Sequence, residues 1–209
     1  KAHGEQTMTQ VLEESLNTGA IFAMRQIGEK MFYKYVKDFG FAESTGIQLD
    51  TELSGDISNL ESYKEIYAAT ASFGQGITVT PLQILNAFGA IANKGILMKP
   101  YIVEEVVKAD GFRVKNQPEE IRQVISPQTS TTLTAMLVNV VENGHGGRAG
   151  VEGYYVAGKT GTAQVPKENG VGYDENHTIG SFAGFAPASD PQFVMLVKID
   201  RPRDVQWAE

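Results

Sequence analysis

Apolar residues in the first half of the chain recur at helical spacing. Ile21, Met24, Ile27 and Met31 stand three and four positions apart, the period of one helix face. Gly40, after Lys37-Asp38-Phe39, offers the C′ residue that ends such a helix. Ahead of it, Thr7-Met8-Thr9-Gln10 has capping-box spacing and predicts a short helix carrying Val11 and Leu12. Between the two, Ser15-Leu16-Asn17-Thr18-Gly19 favours a turn. Residues 41–60 are rich in Gly, Ser, Thr and Asp and read as loop. Thr80-Pro81-Leu82-Gln83 is a second capping box with proline at the first helical position. It predicts a helix to about Asn93, stopped by Gly95. Leu82, Leu85, Phe88 and Ile91 share that helix with Gly89 and several alanines, which predicts close packing against its neighbours.

The period then changes. Residues 101–125 alternate irregularly, with Tyr101-Ile102-Val103, Val106-Val107, a turn at Asp110-Gly111 and Val114, as in a β excursion. Ser126-Pro127 opens another helix through Leu133, Leu137, Val140 and Val141, ended by Asn143-Gly144 and followed by a glycine-rich loop to Gly153. The last third gives three strands, Tyr154 to Val165, Ile179 to Ala186 and Phe193 to Ile199. The short turn from Ala186 to Pro191 favours antiparallel pairing of the last two. The pattern therefore predicts an α+β fold, an antiparallel sheet packed by helices of the first half.

Composition narrows the function classes. The 209 residues suffice for one domain, with 42% apolar and 21% charged residues. A net charge of −7, with no Lys/Arg cluster, argues against a nucleic-acid partner. Without cysteine there is no disulfide or thiolate site. His3, His145 and His177 lack metal-ligand spacing, so neither metal nor cofactor is expected. No apolar run reaches membrane-spanning length, and no apolar h-region follows Lys1 to Thr7. The chain lacks an initiator Met and stops at Val205-Gln206-Trp207-Ala208-Glu209, where a helix is expected to begin. Both ends read as cuts through a larger protein.

Two short motifs carry chemistry. Lys159-Thr160-Gly161 lies inside a β-like run, and a K-T-G triplet on a strand belongs to the serine acyl-transferase set. A strand at a cleft rim offers backbone groups to an extended peptide. Lysine meets an anionic end, threonine hydroxyls bind a carboxylate, and glycine lets the substrate lie against the backbone. The alternative is a polar edge strand. Ser15-Leu16-Asn17 is common by chance and is otherwise a helix-breaking turn. Functionally it offers a proton-relaying hydroxyl and a substrate-holding amide. The motifs stand 144 residues apart, in the order that such sites require. Gly153 to Thr160 also fits G-x-x-x-x-G-K-[ST], the pattern of a nucleotide-binding P-loop. A P-loop needs a helix starting at the lysine, which Gly161 and Pro166 oppose. Gly180-Ser181-Phe182-Ala183-Gly184 is not a nucleophile elbow but a strand of small residues suited to packing beside the K-T-G strand. Arg148, in the glycine loop, could meet an anionic substrate or simply face solvent.

With these motifs the chain resembles the transpeptidase domain of class B penicillin-binding proteins from about Gly4 to Glu209. Ser72-Phe73-Gly74-Gln75-Gly76 with Val79-Thr80-Pro81-Leu82-Gln83, Ala157 to Gln164, and Ser181-Phe182-Ala183-Gly184-Phe185-Ala186-Pro187 are similar to family segments. The resemblance implies a serine β-lactamase/transpeptidase-like fold, incomplete at both ends, with residues 1–209 as a partial transpeptidase domain. It implies Ser15 as proton relay, Asn17 as substrate-orienting amide and Lys159 as electrostatic support. Thr160 and Thr162 would bind the substrate or β-lactam carboxylate, Gly161 would leave room for the acyl group, and the Thr162 N–H would form half of the oxyanion hole. It further implies peptidoglycan peptide stems and β-lactams as ligands. The parent would sit on the extracytoplasmic membrane face, anchored by an N-terminal helix, beside glycosyltransferase and other cell-wall assembly partners.

One departure is large. The family nucleophile lies in S-x-x-K, and no serine here has lysine three residues on; Ser62-Tyr63-Lys64 comes nearest. The chain alone is therefore expected not to acylate. A D,D-carboxypeptidase or β-lactamase, a non-catalytic peptidoglycan-binding module and a P-loop protein are the alternatives. If the transpeptidase reading holds, Ser15 and Lys159 should lie within hydrogen-bonding or water-bridged reach.

Overall fold

The computed structural model describes residues 3–167 and 172–203; the helix expected at 205–209 lies outside them. The first capping box is formed, with Thr7 and Gln10 exchanging hydrogen bonds at the start of α1 (Met8–Glu13). The single helix expected through Ile21 and Met31 is two, α2 (Asn17–Ile27) and α3 (Glu29–Asp38). Gly28 breaks it at φ 76°, ψ 161°, a conformation open to glycine and outside the helical region. Gly40 ends α3 as expected: the N–H of Gly40 donates to Lys37 and that of Phe41 to Val36, the two bonds of a Schellman motif.

Residues 41–57 are loop, as read. A 3-10 turn (Ser58–Ser62) and helix α4 (Glu65–Ser72) follow, neither of which the pattern had indicated. The second capping box starts α5 (Pro81–Ala92). Its alanines are the packed positions, Ala87 and Ala90 being buried, whereas a Cβ on Gly89 would meet open space, contrary to close packing there. Strand β1 (Ile96–Met98) pairs with β4 (Glu120–Gln123), and β2 (Glu105–Val107) with β3 (Arg113–Lys115) across the Asp110-Gly111 turn. Tyr101 to Val103 is exposed coil rather than strand. Ser126 caps α6 (Pro127–Asn143). The three late strands form one antiparallel sheet in the order β5 (Ala157–Pro166), β6 (Tyr173–Ala186), β7 (Phe193–Asp200).

Two packed regions result. Helices α2, α3 and α4 close around Met24, Leu60, Ala68 and Ala71. Helices α5 and α6 cover one sheet face through Ile91 and Leu137 against Ala157 and Phe185. The sheet is therefore covered by α5 and α6, not by the first-half helices as a group. Helix α6 turns Leu133 and Leu137 to the sheet, while α2 to α4 pack their apolar residues, Phe32 and Tyr33 among them, on one another. Helix α1 packs on α6, and so carries Ser15 to the end of the sheet.

Candidate active site

Ser15 stands where α1 stops. The N–H of Ser15 donates to Leu12 and that of Leu16 to Val11, at 3.2 and 2.9 Å, a Schellman closure with Ser15 as the C′ residue. Its φ is 51°, the left-handed region usually left to glycine. The Ser15–Gly19 stretch is thus not all turn, because Asn17 already opens α2. Two glycines hold this corner. A Cβ on Gly19 would stand 2.5 Å from both Val11 methyls, and one on Gly144 would stand 2.6 Å from the Glu13 carbonyl oxygen. Their bare Cα atoms let α2 and the end of α6 close on α1, and the His145 N–H donates to the Glu13 carbonyl at 3.2 Å.

Strand β5 forms the facing wall. Among the described residues it pairs only with β6, so its other edge offers alternate backbone groups to an added strand. Lys159, Thr160, Gly161 and Thr162 pair with Ala183, Phe182, Ser181 and Gly180. The small residues do fit beside the K-T-G segment. A Cβ on Gly158 would lie 2.2 Å from the Phe182 ring, and one on Gly184 would lie 2.7 Å from the Ala157 carbonyl oxygen.

The Lys159 ammonium bridges the two walls. Its Nζ donates to Ser15 Oγ at 2.8 Å, and to the Thr160 carbonyl and Oγ1 at 3.1 and 3.3 Å. The expected approach of Ser15 and Lys159 is therefore found. Three N–H donors meet three acceptors, and burial holds the Lys159 pKa below its ordinary value. Because Ser15 Oγ accepts from Lys159, its own O–H is free to donate into the groove.

Ser15, Asn17, Lys159, Thr160, Gly161 and Thr162 all line one cleft of about 1990 Å³, well above the roughly 300–1,000 Å³ of a small-molecule pocket. The excess arises because the groove runs on over the uncovered face of β7, past Met195 and Val197. Arg148 and His145 also line the cleft. So do Gln75 and Gln164, which the sequence had placed in family-like segments without assigning them a role. Ser62, nearest to an S-x-x-K pattern, does not line it. No group of three or more His, Cys, Asp or Glu among the described residues could hold a metal.

The strand expected at Lys159 is found, which rules out the P-loop alternative. Lys159 is the third residue of strand β5, and the strand continues to Pro166. Tyr, Tyr, Val and Ala before it favour extension, so no helix N-terminus stands at the lysine to receive a phosphate.

The sequence matches the family described as "Penicillin binding protein transpeptidase domain" over residues 1–208. It is 43% identical over 203 residues to stage V sporulation protein D of Bacillus subtilis, covering 96% of this chain and 31% of that protein. It is 35% identical over 205 residues to penicillin-binding protein PbpB of Mycobacterium tuberculosis, covering 94% of this chain and 30% of that protein. Among solved structures, penicillin-binding protein 3 of M. tuberculosis complexed with aztreonam superposes with a TM-score of 0.88 at 34% identity, over 94% of this chain and 45% of that one. The transpeptidase domain of Burkholderia pseudomallei penicillin-binding protein 3 gives 0.84 at 30% identity, over 97% and 58%. The chain spans about a third of the length of these curated relatives.

Proposed function

Since the chain belongs to the penicillin-binding protein transpeptidase family, we propose that it supplies one side of the acyl-transfer groove of a peptidoglycan D,D-transpeptidase. The observation that carries this reading is the Lys159–Ser15 hydrogen bond, 2.8 Å long, across a cleft bordered by the open edge of β5. A D-alanyl-D-alanine-ended stem adds to that edge as an extended strand. Thr160 and Thr162 bind its terminal carboxylate, Gly161 leaves room for the acyl group, Asn17 orients the peptide carbonyl, and the Thr162 N–H contributes to the oxyanion hole.

In the parent protein a serine of an S-x-x-K motif, outside this sequence, attacks the penultimate D-alanine carbonyl. The serine oxygen–carbon bond forms and the peptide C–N bond breaks. Ser15, its oxygen tied to Lys159, relays the serine proton to the leaving nitrogen, so D-alanine departs as a neutral amine. An amine of a neighbouring stem then attacks the ester, forming the cross-link and restoring the serine. β-Lactams enter by the same acylation. The reaction belongs on the extracytoplasmic membrane face, with the parent anchored by an N-terminal helix and assembled with a glycosyltransferase and other cell-wall proteins. Among the described residues no helix is long and apolar enough to cross a membrane.

This chain holds the groove without the nucleophile and forms no acyl-enzyme. Intact-mass measurement after incubation with a fluorescent penicillin tests both halves. The parent protein gains one penicillin mass and the isolated chain gains none. A covalent adduct on the isolated chain overturns the placement of the nucleophile outside it, and an unlabelled parent overturns the transpeptidase reading. Product analysis with a stem peptide and an acceptor amine separates cross-linking from hydrolysis, the outcome of a carboxypeptidase or β-lactamase.

A further inference from the structure

The β2–β3 hairpin stands away from the groove. Its two strands pack on each other and on little else, and none of its residues lines the cleft. A lone two-stranded hairpin is marginal in water, yet this one leaves Val106, Val107, Phe112 and Val114 at 45–60% exposure.

The bonding pattern identifies the backbone groups that face outward. The Lys108 N–H donates to the Phe112 carbonyl at 2.9 Å, and the Asn116 N–H donates to the Glu104 carbonyl at 2.8 Å. Val106 lies opposite Val114 in the same register, so residues 104, 106 and 108 bond inward. Antiparallel bonding alternates along a strand. The N–H and C=O groups of Glu105 and Val107 therefore point away from β3, and those of Arg113 and Lys115 point away from β2. Among the described residues neither edge carries a further strand.

The two edges differ in what they accept. Two copies of β3, paired about a two-fold axis at Val114, would set Arg113 opposite Lys115, and like charges so placed oppose pairing. Two copies of β2, paired about an axis at Val106, set Glu105 opposite Val107 and Glu104 opposite Lys108. Glu105 and Val107 then exchange their outward N–H and C=O groups, and the two Val106 side chains meet on the axis. The charges suit this register. Lys108 holds its Nζ 5.3 Å from the Phe112 ring centre and has no carboxylate partner among the described residues. The Glu104 side chain is 80% exposed, and Lys115 reaches it only to 3.5 Å, which leaves the carboxylate open to a second cation. On the opposite face Arg113 and Glu105 pair within the hairpin at 2.7 Å.

We propose that the free edge of β2 is a self-association site, where two copies of this chain join β2 to β2 antiparallel about Val106. The two hairpins become one four-stranded sheet, with Val106, Phe112 and Val114 of both copies on one face. The contact is small, and small contacts are transient. It therefore forms between copies held close, as the membrane anchor in the transpeptidase reading above would hold them.

The test is disulfide trapping of the parent protein in its membrane. The chain has no cysteine, so Val106→Cys introduces one reporter in a parent freed of any other. In this register the two Val106 Cα atoms stand about 4.5 Å apart, within disulfide reach. The two Val114 positions stand three strand spacings apart, roughly 14 Å, which is beyond it. Mild oxidation should give a linked dimer with Val106→Cys and little with Val114→Cys. Adding Lys108→Glu to Val106→Cys should lose the dimer, and adding Glu104→Lys as well should restore it. Linking should weaken as salt rises, the reverse of an apolar contact. No dimer with Val106→Cys, or equal linking at both positions, overturns the edge. Linking that survives Lys108→Glu, or that does not return after the charge swap, overturns the register. Penicillin labelling of the same samples reports on the underlying function separately: an unlabelled parent overturns that reading and not the edge.

Discussion

Ser15 occupies a backbone position that suits glycine better, and this sets up a conflict between stability and chemistry at one residue. At φ 51° a side chain costs roughly 1–2 kcal/mol against the right-handed alternative. What the side chain gains is a hydrogen bond from Lys159, which is modest on an exposed residue. Ser15→Gly and Ser15→Ala both delete the hydroxyl, but only glycine also relieves the strain. We expect Ser15→Gly to be more stable than Ser15→Ala by about 1 kcal/mol, read from urea midpoints of the chain. Equal midpoints would mean that the left-handed corner carries no strain. The Ser15–Lys159 pair was legible in the sequence because each residue sits in a triplet whose members have chemical reasons to be together. Gln75 and Gln164 were not assignable, since glutamine has no spacing that points to a cleft. Only the fold brings them to the same opening.

Among the elements, legibility follows the strength of local signals. The caps at Thr7, Thr80 and Ser126 fix helix starts because side-chain oxygens must satisfy otherwise unpaired N–H groups, and all three are formed. The break at Gly28 was hidden, since Ile27 and Met31 keep the helical interval across it. Helix α4 was hidden for a different reason: its buried positions are Ala68, Ala69 and Ala71, too small to mark a face by hydropathy. The Thr80 cap has a further consequence. Gln83, only 1% exposed, accepts from the Thr80 N–H at 2.9 Å and donates to the Glu43 and Ser54 carbonyls at 3.0 and 2.7 Å. It thus fastens the loop before α4 to the start of α5. Thr80→Ala should cost about 1 kcal/mol, as an ordinary cap does. Gln83→Leu should cost more, because it removes the bonds to two carbonyls as well as the one to Thr80, each worth about 1 kcal/mol. Denaturant unfolding of the two variants in parallel checks the order, and a smaller loss for Gln83→Leu would show that those carbonyls find other partners.

For the molecule as a whole, the α+β class and the antiparallel late sheet followed from a change of period along the chain, from helical spacing to alternation. Which helices cover which sheet face did not, because that depends on contacts between distant segments. The uncovered face is the consequence that matters in solution. Phe193, Met195, Val197 and Ile199 alternate along β7 at 47–55% exposure, and they pair with Ala186, Gly184, Phe182 and Gly180 on β6. The two glycines add no side chain beside Met195 and Ile199, and among the described residues the stripe stays exposed. Its attraction is opposed at low salt by the net charge of −7, which repels like molecules over a Debye length of about 30 Å at 0.01 M but only about 3 Å at 1 M. Salt should therefore drive self-association of the isolated chain. Sedimentation velocity should show monomer near 0.01 M and a rising average mass toward 1 M. Val197→Glu puts a charge in the middle of the stripe at a position that buries little, so it should keep the chain monomeric across the range with an unchanged unfolding midpoint. A wild-type chain that stays monomeric at high salt would show that this face is too broken or too weakly apolar to associate. A Val197→Glu chain that still associates would place the contact elsewhere, with the exposed β2–β3 hairpin around Phe112 as the next surface to substitute.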